Sequence, residues 1–387
     1  MRKVLFVATV ESHIVNFHIP FMRYLQNKGY EVHVATKLEK KSSLVENEGI
    51  KFHNIDISRK PHSFSNLTAL RQLTYLMKKH SFELLHLHTP VGGVVGRIAA
   101  KLSNSKPVIY TAHGFHFYKG APVRNWVIYY TIERLLAGWT DAIITINEED
   151  FNCAKKFKIR QEGKIYRTHG VGVNIDRYSW NNMEVRKQYR RNLGIPQDAV
   201  VISCIAELNE NKNQIQLINS IEEIILEYDN VYLLLVGQGE NYDKLERKIT
   251  QNQLANNIRL LGFRRDIPEI LNTTDIMALV SIREGLPKCL LEGMSFGLPI
   301  LASDIRGSRE LIGNGVNGFL VPVDNVNATK SALIKLIRDP KVRKKFGEYN
   351  KNKIREYSID AVIKEVGNIY SDILMETESI QSKTCVN

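Results

Sequence analysis

The chain has 387 residues, 43% hydrophobic and 24% charged, which is ordinary globular composition and long enough for two domains. No apolar run approaches the length needed to span a bilayer. The four cysteines, Cys153, Cys204, Cys289 and Cys385, include no CxxC pair, which argues against a disulfide framework or zinc ribbon and fits a reducing cytosol. The net charge of +12 is confined to one half: residues 1–174 hold 25 Lys/Arg and 13 Asp/Glu, whereas residues 175–387 hold 28 of each. A basic half, which also carries all eleven histidines, points to an anionic partner such as nucleic acid, an anionic membrane surface or a phosphorylated substrate.

The first half alternates strand and helix. Its opening apolar run, residues 3–9, is short and ends at polar Glu11-Ser12-His13, so it reads as a first sheet strand rather than a secretion signal. A helix over 19–27 ends at Gly29. Strands follow over 31–36 and 51–55, then an amphipathic helix over 67–80 with Leu70, Leu73, Leu76 and Met77 on one face. Strands over 83–88, 107–112 and 141–146 are separated by a helix over 92–102 and an aromatic helix near 126–136. Residues 171–199 are rich in Asn and Arg, weakly periodic, and read as a linker. A second series then begins: strands over 200–206, 231–236, 258–261, 275–281, 299–303 and 318–322, with helices between and a helical stretch from 327 onward. Such alternation predicts two α/β domains, each a doubly wound, Rossmann-like parallel sheet, facing a central cleft. The expected boundaries are 1–170 for the first domain and 200–365 for the second, with a C-terminal helix and tail over 366–387.

The stretch Arg283-Glu-Gly-Leu-Pro-Lys-Cys-Leu-Leu-Glu-Gly-Met294 lies between two of these strands. Pro287 suits a first helical turn and Gly297 the position past a helix end, which predicts a helix from about 286 to 296. Its positive dipole end faces the preceding loop, a ready site for phosphate. Gly285 lets backbone approach closely. Glu284 lies in that loop and Glu292 about one and a half turns into the helix, at ~3.6 residues per turn. Carboxylates do not bind phosphate but accept hydrogen bonds from sugar hydroxyls. The pair therefore suits a ligand with phosphate in the middle and a sugar at each end. The plainer reading is one glutamate at a helix start for dipole reasons and a second on a solvated face.

The Glu284-x7-Glu292 spacing, Arg306-Gly-Ser-Arg-Glu-Leu-Ile312, Gly315-Val-Asn-Gly-Phe-Leu-Val321, Val236-Gly-Gln-Gly-Glu-Asn241 and Leu261-Gly-Phe-Arg-Arg-Asp-Ile267 resemble, in order and spacing, glycosyltransferase family four, the retaining GT-B enzymes. In the first half, His13-Ile-Val-Asn-Phe-His-Ile-Pro20, Thr111-Ala-His-Gly-Phe-His-Phe-Tyr118, Ile144-Thr-Ile-Asn-Glu-Glu-Asp150 and Gly170-Val-Gly-Val-Asn-Ile-Asp176 resemble its bacterial branch that builds exopolysaccharide, capsule or O-antigen. The resemblance implies a nucleotide sugar, expected to be a UDP-sugar, bound by the C-terminal domain and a lipid-linked polyprenyl-diphosphate glycan bound by the N-terminal one. It implies Glu284 on the donor-sugar hydroxyls, Glu292 on the ribose, Lys212 on the diphosphate and His113 near the donor sugar. Gly237, Phe263, Arg264, Gly285, Leu286 and Pro287 complete the expected donor site; the glycine turn would let backbone pass close to the nucleotide. Two departures stand out. Glu207 occupies a position where many members have an arginine beside the diphosphate, leaving Arg264 or Arg265 as substitutes. The first loop lacks the usual glycines and is assigned to the acceptor, with His13 and Asn16 as contacts.

The basic half then serves the acceptor and an anionic membrane surface, through Arg59, Lys60, Arg71, Lys78 and Lys79, on the cytoplasmic face. Basic residues near such a surface contribute about 1 kcal/mol each. No cofactor and no metal are expected: His86 and His88 share a strand face, but no acidic ligand motif or cysteine pairing joins them to His113 and His116. A sugar-nucleotide epimerase on the same architecture is the alternative. A nucleic-acid-binding protein ranks lower, because most aromatics lie in apolar strands and helices.

Overall fold

The computed structural model describes residues 1–38, 45 and 47–384, with 376–384 as backbone only. It divides into two compact units, Met1–Val171 with the C-terminal helix from Ile359, and Gly172–Ser358.

Unit 1 is built on seven strands: β1 Lys3–Val7, β2 Glu31–Thr36, β3 Lys51–Asn54, β4 Leu84–His88, β5 Val108–Ala112, β6 Ala142–Thr145 and β7 Lys164–Arg167. All pair in parallel, in the order β3-β2-β1-β4-β5-β6-β7, with Val4 opposite both Val32 and Leu84. Central strands β4, β5 and β6 are buried at every residue, as a sheet covered by helices on both faces requires. Alternate residues serve two cores. Leu5, Val7, Leu85 and Leu87 pack with Leu73 and Met77 of helix Ser65–His80 and Val95 and Ala99 of helix Pro90–Ser103. Val4, Phe6, Leu84 and Ile109 pack with Phe21, Met22 and Leu25 of helix Ile19–Asn27 and with the C-terminal helix.

That last contact departs from the expected boundaries. Helix Ile359–Thr384 starts earlier than 366 and returns to the first unit. Val362, Val366, Ile369, Tyr370 and Ile373 form one apolar stripe that covers the second core. Gly367 permits the approach, since a Cβ there would lie 2.6 Å from the Tyr24 ring. The buried Tyr370 hydroxyl shares a 2.8 Å hydrogen bond with His86 Nδ1. Replacing Tyr370 by phenylalanine is expected to cost about 1–2 kcal/mol, because it strands that ring nitrogen in the interior. Urea denaturation followed by circular dichroism measures it.

Unit 2 carries β8 Val200–Ile205, β9 Val231–Val236, β10 Ile258–Gly262, β11 Ile276–Leu279, β12 Ile300–Ser303 and β13 Gly318–Val321, parallel, in the order β10-β9-β8-β11-β12-β13. The larger core joins Ile202, Cys204, Leu233, Met277 and Leu279 to helices Gln214–Ile224, Lys288–Ser295 and Val326–Arg338. Val201, Leu234 and Ile270 centre the smaller one. The segment expected as a linker belongs to this unit. Helix Met183–Asn192, capped by the Asn182 side chain, packs on the smaller core through Tyr189 and is fixed by polar contacts besides. Its Arg186 and Arg190 donate to Asp275 at 2.6 and 2.8 Å, and Arg190 is almost completely buried.

Each sheet reverses strand order once, between β1 and β4 in unit 1 and between β8 and β11 in unit 2. Open α/β sheets bind ligands at the carboxyl ends of the strands beside such a reversal.

Candidate functional site

In unit 2 the loops after β8 and β11 meet at that position. The turn Glu210–Lys212 is capped by the Asn209 side chain, which accepts from the Lys212 N–H. Ile282 N–H donates to the Asn211 carbonyl at 2.7 Å and Asn211 Nδ2 donates to the Arg283 carbonyl at 3.1 Å, lacing the two loops together. Lys212 Nζ then donates to Glu284 Oε1 at 2.5 Å. The Glu284 carbonyl accepts from Nε of buried Arg306 at 3.3 Å. Beside it Gly307 leaves no room for a side chain, since a Cβ would sit 2.7 Å from the Gly285 carbonyl.

Burial works against the Lys212 charge, yet the ammonium is shifted upward overall, because the Glu284 carboxylate faces it. Cys204 and Cys289 lie against the pair. Burial pushes the Cys204 thiol up to about 12 and raises that of Cys289 too, so both pack as apolar groups.

Helix Lys288–Ser295 starts two residues later than expected and ends where expected, with Gly297 at φ +71° just beyond it. Pro287 is extended (φ −76°, ψ 109°) and caps the helix instead of lying in its first turn. Glu292 is buried; burial raises its carboxyl, and the Tyr178 hydroxyl donates to it. The sequence reading missed both Tyr178, which lies in the supposed linker, and Arg306, whose motif had been noted without a role.

Other expected donor residues fall differently. Gly237 has φ +148°, and a Cβ there would lie 1.9 Å from the Ala206 carbonyl; at Gly239 it would lie 2.2 Å from that of Leu208. The close approach these glycines permit is therefore to the neighbouring loop of the protein, not to open space. Phe263 is 63% exposed. Arg264 is committed within the protein, donating to Asp266 at 2.8 Å and to the Tyr189 hydroxyl at 2.7 Å. That guanidinium holds the Asp266 carboxyl down at about 2. Glu207 is exposed, as is Arg265. Leu286 packs against the core and Pro287 is buried.

In unit 1 the expected acceptor residues converge. His13 and Asn16 lie on helix Glu11–Phe17, after β1, and His113 follows β5. With Arg59, Thr89, His116 and Tyr129 they line a cavity of about 470 Å³. Thr89, at φ +63°, accepts from the Thr9 N–H through its hydroxyl and ties the loops after β1 and β4 together. Burial, then the nearby Arg59 charge, lowers His13 to about 4, and burial drives His113 well below its usual range. Both are neutral at pH 7.

The expected basic patch divides. Arg59 and Lys60 precede helix Ser65–His80, whereas Lys78 and Lys79 are in its last turn. Sixteen helical residues span about 24 Å, so Arg59 borders the cavity at the carboxyl edge while Lys78 borders another, of about 550 Å³, with Arg2, Glu83 and Lys106. Arg71, Lys78 and Lys79 share the outer face of this helix with exposed Leu67 and Tyr75.

Residues 185–353 match the family model "Glycosyl transferases group 1" and residues 3–147 match "Glycosyl transferase 4-like". The chain is 36% identical over 375 residues to "Putative glycosyltransferase EpsD" of Bacillus subtilis (strain 168), covering 96% of both chains. It is 28% identical over 316 residues to the Escherichia coli "UDP-Gal:alpha-D-GlcNAc-diphosphoundecaprenol alpha-1,3-galactosyltransferase", covering 80% of each. Among solved structures it resembles Anabaena HepE in complex with UDP and glucose, at TM-score 0.80 and 19% identity, covering 96% of this chain and 100% of that one. It also resembles WaaG, a glycosyltransferase involved in lipopolysaccharide biosynthesis, at TM-score 0.72 and 15% identity, covering 95% and 99%. These likenesses match the two Rossmann-like sheets to the GT-B fold. The chain belongs to the glycosyl transferases group 1 family and is a glycosyltransferase.

Proposed function

We propose that this glycosyltransferase moves a sugar from a UDP-sugar to a glycan carried on a polyprenyl diphosphate, with retention of configuration, in bacterial surface polysaccharide assembly at the cytoplasmic membrane face. The observation that carries the donor half is the Lys212–Glu284 pair at the strand reversal of unit 2, beside the amino end of helix Lys288–Ser295. Breaking a sugar–phosphate bond leaves negative charge on the nucleotide diphosphate. A point cation and a helix dipole aimed at that charge stabilise it as it develops. In this reading Glu284 accepts hydrogen bonds from the donor sugar and holds Lys212 in place, and a ribose hydroxyl joins Tyr178 on Glu292. Donor activation at this site is assigned to these groups and to no metal. Asn16 and Arg59 receive the acceptor's polar head, in the cavity whose wall His13 and His113 help to form. The E. coli relative's diphosphoundecaprenol-linked substrate and the UDP in HepE support the choice of substrates.

The test is a panel of UDP- and GDP-sugars incubated with the enzyme and membrane extract, with products read by mass. A glycan–lipid gaining one sugar from a UDP donor is expected. A UDP-sugar epimerised without an acceptor would replace this reading with the epimerase. For the membrane face, reversing the charge of Lys78 and Lys79 is expected to lower partitioning onto anionic vesicles, read by co-sedimentation, by at least about 30-fold, since losing two charges at about 1 kcal/mol each already removes about 2 kcal/mol. Unchanged sedimentation would move the membrane contact elsewhere.

A further inference from the structure

Four histidines far apart in sequence meet at the carboxyl edge of the unit 1 sheet. His13 lies on helix Glu11–Phe17, His18 caps its end, His88 closes β4 and His113 follows β5. One ring nitrogen from each lies within 4.8 Å of the other three. The ring centres are 4.7 Å apart for His13–His113, 4.9 Å for His13–His18, 5.5 Å for both His18–His113 and His88–His113, 6.2 Å for His13–His88 and 3.8 Å for His18–His88. Imidazoles on a tetrahedral zinc ion, with Zn–N about 2.0–2.1 Å, hold their ring centres roughly 5 Å apart. The observed separations scatter about that value, and the stacked His18 and His88 rings would part by about 1 Å to meet it.

The hydrogen bonding of the cluster is incomplete. Nε2 of His13, of His18 and of His88 is buried with no hydrogen-bond partner among the described residues. Buried polar atoms in folded proteins are nearly always partnered, so three orphans in one cluster need an explanation. A cavity of about 20 Å³, room for one water, opens against His18, His88 and His113 on the side of His86, and His13 does not line it. The grouping differs from the one weighed on sequence. His86 is taken by Tyr370 and Thr111, and His116 packs on Tyr129.

We propose that His13, His18, His88 and His113 form a four-imidazole site for a divalent transition ion of the zinc type. Imidazole donors select zinc, copper or nickel over magnesium or calcium. Four protein ligands close the coordination sphere, as in structural sites. The ion would pin the first loop of the unit to the ends of β4 and β5, and so set the shape of the cavity that holds Asn16 and Arg59.

The test uses the full chain with any histidine tag removed, stripped with chelator and titrated with Co²⁺ and then Zn²⁺. One equivalent is expected, with the visible absorption of tetrahedral cobalt bleached by zinc. His18→Asn and His88→Asn should each lower retention at least tenfold. His53→Gln, in a separate histidine pair with His33, should retain the ion. Circular dichroism checks the fold of each variant. If a variant fails to fold, the wild-type titration decides: no stoichiometric cobalt spectrum overturns the proposal. Equal retention by wild type and folded His88→Asn overturns it as well.

Discussion

Glu284→Ala should lower sugar transfer by at least about 10²–10³-fold, the usual cost of removing one group that stabilises a transition state, while the protein stays folded. Glu284 is held from both ends, its carboxylate by Lys212 Nζ and its carbonyl by Arg306. A side chain placed so tightly in a loop is positioned for contact rather than solvation. Alanine removes the acceptor for donor-sugar hydroxyls and releases Lys212. Glu284→Gln keeps one acceptor oxygen but not the charge, so the difference between the variants separates sugar binding from lysine placement. Initial rates with saturating acceptor measure both. Near-normal transfer by Glu284→Ala would remove this residue from the donor site.

Lys212→Ala should cost a similar factor in rate, about 10²-fold or more, and should also weaken UDP binding, because the ammonium acts on the diphosphate in substrate and product alike. Burial opposes the Lys212 charge, and the facing Glu284 carboxylate favours it. Lys212→Arg should rescue only part of the loss, since a planar guanidinium does not occupy the place of a compact ammonium. Calorimetry with UDP reads the binding half, and unchanged affinity in Lys212→Ala would count against the assignment.

Strands β4, β5, β8, β9 and β12 were legible in the sequence because strands covered on both faces are nearly continuous apolar runs. Strand β7, Lys-Ile-Tyr-Arg, was not, since an edge strand with exposed ends has no such run. Helix Met183–Asn192 escaped because Tyr189 alone carries its apolar packing, without a stripe, and Asn182, Arg186, Arg190 and Asp275 supply the rest. The helical character of the chain beyond 327 was legible, but helicity does not say which sheet a helix covers.

The site shows the same division. Glu284 and Glu292 were readable from a strand, a loop and a helix in succession. That Lys212 reaches Glu284 follows from the β8/β11 reversal, a property of strand order. Tyr178 on Glu292 and the meeting of His18 with His88 depend on topology alone. Arg264 has the right residue type for a diphosphate cation, yet Asp266 and Tyr189 claim it, a competition that local sequence does not display.

The central claim is that the nucleotide sits in unit 2 against Lys212 and the amino end of helix Lys288–Ser295. A crystal structure with UDP bound tests it most directly. The diphosphate should lie within hydrogen-bond distance of Lys212 Nζ and the first turn of that helix, with the ribose hydroxyls on Glu292. UDP bound instead in the unit 1 cavity of His13, Asn16 and Arg59, with Lys212 still closed on Glu284 and touching nothing else, would contradict the account.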